Sequence, residues 1–155
     1  MPKVKLATKV PEFSLPASGG ATWSLKGAAG KKLVVYFYPR DMTSGCTRES
    51  QDFRDLYGAF RKAGAQIVGI SRDSVASHDK FAHRESLPFA LLADTDEKVC
   101  KLFDVIKQKS LYGRKYLGVE RSTFLVDSTG RLRQEWRKVK VPGHAEEVLE
   151  ATQRL

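Results

Sequence analysis

The stretch YPRDMTSGCTRES, Tyr38 to Ser50, carries one of only two cysteines in the chain. Cys46 stands where an apolar run has ended at Pro39 and a helical pattern begins. A thiol is a weak nucleophile until it loses its proton, at an ordinary pKa of about 8.5, so something must favour the anion. The opening turn of a helix does so, because its backbone N–H groups are unpaired and the positive end of the macrodipole lies there. Thr43 brings a hydroxyl three residues earlier that can turn back toward the sulfur. Gly45 lets a second molecule approach the backbone, and Pro39, fixed in φ and without an N–H, is placed to roof the pocket. A guanidinium is missing from this local set. Arg121 in GVERSTFLVD opens a strand and is the best-placed basic residue to supply one.

The other chemistry-bearing residues read more plainly. An isolated cysteine usually behaves as a small hydrophobe. That suits Cys100 in EKVCKLFDV, beside Val99, Leu102 and Phe103, better than Cys46, whose neighbours are Thr, Ser and Arg. Neither cysteine belongs to a C-x-x-C pair, which disfavours zinc binding and dithiol exchange; CTRE has Arg48 and Glu49 where a disulfide reductase needs its second thiol. His78, His83 and His144 share no ligand spacing with the cysteines and are expected at solvated helix positions.

The elements that must position Cys46 follow from periodicity. KKLVVYFYP is short, β-branched and apolar on both faces, the pattern of a buried central strand that Pro39 stops. In CTRESQDFRDLYGAFRKAG, Phe53, Leu56, Tyr57 and Phe60 fall at i, i+3, i+4 and i+7, and Gly64 stands at the C-terminal cap. Cys46, seven residues before Phe53, sits on the same inward stripe. AQIVGIS reads as a strand, SVASHDKFAHRES as a helix packing Val75 and Phe81, and PFALLAD as a third strand. A short helix through EKVCKLFDV precedes RSTFLVDSTGRLRQEWRKVKV, a hairpin turning at DSTG. HAEEVLEATQRL closes the chain as an amphipathic helix with Val148, Leu149 and Leu155 inward. Alternating βα units, a hairpin and a helix give an α/β fold, a thioredoxin-like mixed central sheet with helices on both faces.

Composition bounds the remaining possibilities. A chain of 155 residues with 41% hydrophobic and 10% aromatic content suits one globular domain spanning 1–155 rather than a disordered chain. The longest apolar run, LVVYFY, is far short of the ~20 residues of a membrane span. The N-terminus lacks the apolar core of a secretory signal, so a cytoplasmic protein is expected, without a membrane. A net charge of +9 attracts polyanions but serves solubility equally. RLRQEWRKVKVPGH alternates along a strand, giving a solvated basic face with Trp136 inward or across the hairpin, and nucleic acid is not an expected partner.

YPRDMTSGCTRE resembles the active-site signature of the peroxiredoxins, P-x-x-x-T-x-x-C, with Pro39, Thr43 and Cys46 in register. PFALLADTDEKVCKLFDV, YGRKYLGVERSTFLVDSTG and WRKVKVPGHAEEVLE are similar to stretches of the peroxiredoxin Q, or bacterioferritin comigratory protein, subfamily. The resemblance runs from about Val4 to the last helix. It implies a thiol peroxidase that reduces hydrogen peroxide and organic hydroperoxides without metal or cofactor, with Cys46 becoming a sulfenic acid and Arg121 as the active-site arginine. Two departures stand out. Many relatives carry a resolving cysteine five residues after the first, where this chain has Gln51; others carry it in the next helix, at Ala82. Cys100 matches a position where some members have an extra cysteine and is the one candidate resolver, within the chain or between two chains. The plainer expectation is a one-cysteine cycle completed by an external thiol, from a thioredoxin, a glutaredoxin or a small thiol, in a monomer or weak dimer. The rival reading is a thioredoxin-like chaperone or polyanion-binding module with a redox-sensing cysteine.

Overall fold

A computed structural model describes residues 3–155. In chain order the elements are β1 (Ser14–Pro16), β2 (Thr22–Ser24), β3 (Lys32–Phe37), α1 (Ser44–Lys62), β4 (Ala65–Ser71), α2 (Val75–Glu85), β5 (Ala90–Ala93) and α3 (Lys98–Leu102). There follow β6 (Ile106–Leu111), β7 (Arg114–Val119), β8 (Ser122–Val126), β9 (Leu132–Trp136) and α4 (His144–Arg154). The central sheet runs β5-β4-β3-β8-β9. β3, β4 and β5 are parallel, whereas β8 pairs antiparallel with both β3 and β9. The sheet is mixed and carries helices on both faces, as the βα alternation predicts.

β3 lies at the centre because both of its faces are apolar. Leu33, Val35 and Phe37 join Cys100 and Phe103 in one core, and Val34, Tyr36 and Tyr38 join Cys46, Phe53, Phe60 and Val148 in the other. Side chains of this size each contribute about 1.5–3 kcal/mol when fully buried. The tight fit shows at Gly69 in β4, where an added Cβ would lie 2.8 Å from the Tyr36 ring. Such a substitution would push apart the strand pair that feeds the site.

α1 starts two residues before Cys46 and ends at Lys62, with Ala63 as its C-cap and Gly64 beyond it at φ +82°. That left-handed conformation costs glycine little and closes the helix. α2 departs from expectation in its contacts. Its buried residues are His78, Phe81 and Glu85, and Val75 is only half-buried. The helix therefore packs through a histidine rather than through its first valine. In α4, Val148 is buried while Leu149 and Leu155 are half-buried.

Two two-stranded hairpins stand outside the sequence-derived elements: β1 with β2, and β6 with β7. The second runs straight into Glu120 and Arg121 and so delivers the arginine to the start of β8. No helix among the described residues is long and apolar enough to cross a membrane.

Candidate active site

The register of the central strands decides which residues meet. Ser122, the first residue of β8, pairs with Phe37, the last of β3. Arg121 therefore lies beside the point where β3 gives way to the turn leading into α1. Its backbone carbonyl accepts from the Val139 N–H at 3.0 Å, which ties this end of β8 to the segment before α4. Cys46, third residue of α1, comes within reach: Arg121 Nη2 donates to Cys46 Sγ at 3.5 Å. The structure thus brings together two residues 75 positions apart.

Glu49, on the next turn of α1, completes the arrangement. Its Oε1 accepts from Arg121 Nη1 at 2.7 Å, with the Glu49 side chain 1% exposed and that of Arg121 17% exposed. Glu49 Oε2 is buried without a hydrogen-bond partner. Burial pushes the Glu49 carboxyl up to about 7, while the Arg121 guanidinium pulls the other way. Burial disfavours the charge on Arg121, yet Glu49 and Cys46 outweigh it and leave the guanidinium above its ordinary value. Sequence reading passed over Glu49. The signal was an acid three residues past a cysteine on a helix, hence on the same face.

The remaining predicted site residues are placed less simply. Thr43 is the N-cap of α1, but its side chain makes no capping bond. Its hydroxyl donates to the Arg40 carbonyl at 2.9 Å instead of turning to the sulfur. Gly45 leaves room, as expected, though the occupant is the protein's own guanidinium: a Cβ at Gly45 would lie 3.1 Å from Arg121 Nη2. Pro39 is half-buried at the end of β3. Cys46 itself is 1% exposed, beside the exposed Thr43 and Ser44.

Cys100 is not brought to Cys46. It is buried in the core on the opposite face of the sheet. Its N–H donates to Asp94 Oδ2 at 2.6 Å. Burial, and after it the Asp94 carboxylate, push its thiol far above the usual range. Both cysteines are free.

The histidine expectation needs correction at two of three positions. His83 is exposed, but His78 is wholly buried and His144 nearly so. His144 Nε2 pairs with the Thr123 hydroxyl at 2.8 Å, and Trp136 packs edge-on against the ring with centroids 5.9 Å apart. Burial lowers His144 to about 4. Both are buried because each ring finds polar partners inside, which a single sequence does not reveal. Asp41, Asp73 and His78 are the one group of metal-ligating type among the described residues, with candidate atoms within 4.8 Å of one another. Asp73 Oδ2 already accepts from the Asp41 N–H at 2.8 Å and the Ser71 hydroxyl at 2.6 Å. The donors belong to the fold, and the cluster is a closed hydrogen-bond network.

A thioredoxin-like sheet that sets a cysteine at a helix start against a guanidinium defines a thiol peroxidase. Known proteins agree. Residues 6–135 match the AhpC/TSA family model. The chain is 54% identical to Peroxiredoxin Bcp of Xanthomonas campestris pv. campestris, covering 90% of this chain and 88% of that protein. It is 47% identical to Peroxiredoxin Bcp of Bacillus subtilis, with 95% and 94% covered. A PrxQ mutant structure from Xylella fastidiosa superposes with a TM-score of 0.93 at 40% identity, covering 99% and 98%. The bacterioferritin comigratory protein of Xanthomonas campestris, described for its alkyl peroxide reduction activity, superposes at 0.88 with 51% identity, covering 92% and 90%. The chain belongs to the AhpC/TSA family, as a peroxiredoxin of the Bcp or peroxiredoxin Q group. The peroxidase reading stands, and the chaperone or polyanion-binding alternative is not favoured.

Proposed function

We propose that Cys46 is the peroxidatic residue, that Arg121 and Thr43 hold the hydroperoxide, and that Pro39 screens the sulfur, with residues 1–155 working as one domain. The observation that carries this is the 3.5 Å contact from Arg121 Nη2 to Cys46 Sγ, with the same guanidinium braced by Glu49 at 2.7 Å. The thiolate attacks the terminal oxygen of the hydroperoxide and forms an S–O bond as the O–O bond breaks. The departing oxygen keeps the bonding pair and takes up a proton to leave as water or an alcohol, and Cys46 becomes a sulfenic acid. Arg121 favours the anionic sulfur beforehand and the developing oxyanion afterwards, so its stabilisation is preorganised. The Thr43 hydroxyl, donating to Arg40, keeps lone pairs free to accept the hydroperoxide hydrogen. Both electrons come from the sulfur, and the step requires no metal or organic cofactor.

Hydrogen peroxide and organic hydroperoxides are the substrates of this reading; the alkyl peroxide reduction described for the Xanthomonas campestris relative supports the second class. An external thiol closes the cycle: it attacks the sulfenic sulfur, water leaves, and a second thiol releases Cys46 and a disulfide. The burial of Cys100 beyond the sheet supports this one-cysteine route. A thioredoxin, a glutaredoxin or a small thiol fits the role. Two free cysteines suit the reducing cytoplasm, where we place the protein as a monomer or weak dimer.

Stopped-flow mixing with substoichiometric peroxide tests the assignment. The Cys46 thiol is lost in a fast second-order step, and Cys46→Ser abolishes both that step and turnover with a thiol donor. Turnover retained by Cys46→Ser would overturn it.

A further inference from the structure

The turn between β3 and α1 is held from outside by α2. Asp41, 7% exposed, lies midway along it, between Pro39 and Thr43. Its Oδ1 accepts from the Tyr38 hydroxyl at 2.6 Å. Its Oδ2 accepts from the Ser77 hydroxyl at 2.8 Å and lies 2.7 Å from His78 Nδ1. His78 Nε2 lies 2.9 Å from the Leu92 carbonyl oxygen, which only accepts, so that nitrogen carries a hydrogen. A further hydrogen is held between Nδ1 and the carboxylate. The ring is 0% exposed. His78 therefore bridges β5 to the turn, and the turn's own conformation shows that it needs holding. Met42, next to Asp41, sits at φ +64°. A side chain of that kind adopts the left-handed region only where its surroundings over-determine it.

We propose that Asp41 and His78 are positioning residues for the peroxidatic cysteine: the buried Tyr38–Asp41–His78 network clamps the turn to α2 and so fixes where α1 begins and how Cys46 faces Arg121. The inference rests on the role proposed above for Cys46. The clamp also governs access. A sulfur 1% exposed admits a small peroxide with little motion, but a thiol reductant reaches it only when the start of α1 swings out. Such an opening must first break the hydrogen bonds of Asp41, the one buried charged group in the turn itself.

The test compares two rates that a clamp moves in opposite directions. In His78→Gln, at fixed pH, alkylation of reduced Cys46 by iodoacetamide, read by peptide mapping to separate it from Cys100, rises roughly tenfold, the scale of one lost hydrogen bond to a charged group. The single-turnover rate with peroxide falls by a smaller factor, because the closed population, with the sulfur against Arg121, loses only what the open one gains. The double variant Asp41→Asn/His78→Gln is no worse than the worse single one, since both break the same link. Tyr38→Phe removes only one hydroxyl, keeps the core packed, and shows the same pair of shifts at smaller size should His78→Gln fail to fold. Val126→Ala, on the opposite face of the sheet and matched in urea midpoint, moves neither rate. The clamp is overturned if both rates stay put, if both fall together, or if Val126→Ala reproduces the pair of shifts. Should the wild-type protein consume no peroxide, the peroxidase role of Cys46 fails instead, and the alkylation ratio still reports on the clamp.

Discussion

Arg121 spans a carboxylate and a thiol with the two ends of one fork, at 2.7 and 3.5 Å. Lysine, with a single ammonium on a flexible stem, cannot reproduce that geometry. Arg121→Met and Arg121→Lys are therefore both expected to slow single-turnover peroxide reduction, the first by about 10²- to 10³-fold, the usual cost of losing one donor aimed at developing charge. Arg121→Met also takes from the buried Glu49 carboxyl the guanidinium that lowers it, so the acid takes up a proton rather than standing as a buried anion. Glu49 carries a pH signature of its own. Its carboxyl titrates near 7 in the fold against 4.5 for an unhindered glutamate. Between those values the folded chain holds a proton that the unfolded chain has released, so Glu49 makes stability fall as pH rises through this window. Urea midpoints measured at pH 5 and pH 8 should show Glu49→Gln gaining on the wild type toward the alkaline end. A difference that stays flat with pH would mean that Glu49 is ionised throughout. Cys46 and Arg121, which the structure sets 3.5 Å apart, were legible because a helix start and a strand start marked them. Glu49 was not, because its burial depends on an arginine 72 positions away.

At the scale of elements, α1 and β8 meet through a glycine. A methyl at Gly45 would stand 3.1 Å from Arg121 Nη2, and the guanidinium, held at both ends, must yield by a few tenths of an ångström. Gly45→Ala should keep the fold and lower the peroxide rate by about tenfold, since displacements of this order at a reacting centre are costly; an unchanged rate would show that the fork has slack. α4 depends on a histidine in its first turn. His144 is lowered to about 4 from 6.5, so between these values only the unfolded chain takes up the proton, and stability is lost as the medium is acidified through the window. Replacing His144 with Asn should flatten the fall in urea midpoint between pH 6.5 and pH 4. The elements themselves were largely legible. β3, α1, β4 and β5 each bury an apolar stripe whose period is visible in the chain. The β6–β7 hairpin was not, since IKQKSLYGRKYLGV mixes lysines with isolated apolar residues on strands that are mostly exposed. α2 was found, but not its anchor, because His78 is buried by the polar partners it meets from Asp41 and Leu92.

For the molecule as a whole, the central sheet is a partition. Cys46 belongs to the core on one face and Cys100 to the core on the other, with β3 supplying alternate side chains to each. The family resemblance left Cys100 as a candidate resolver, because nothing in a linear pattern tells which side of a sheet a short helix will cover. A bond between the two sulfurs would require α3 to pull Val99, Leu102 and Phe103, all buried, out of their core and cross to the far side of the sheet. That amounts to dismantling one core, against a total stability of about 5–15 kcal/mol for a domain. Treatment of the reduced protein with one equivalent of peroxide should therefore add one oxygen to the intact mass, and Cys100→Ala should turn over with a small thiol at close to the wild-type rate. A mass lower by two hydrogens, with Cys100→Ala unable to form that species, would mean that the fold opens far more readily than its packing suggests. A doubled mass would place the second sulfur on another chain and make the dimer part of the cycle.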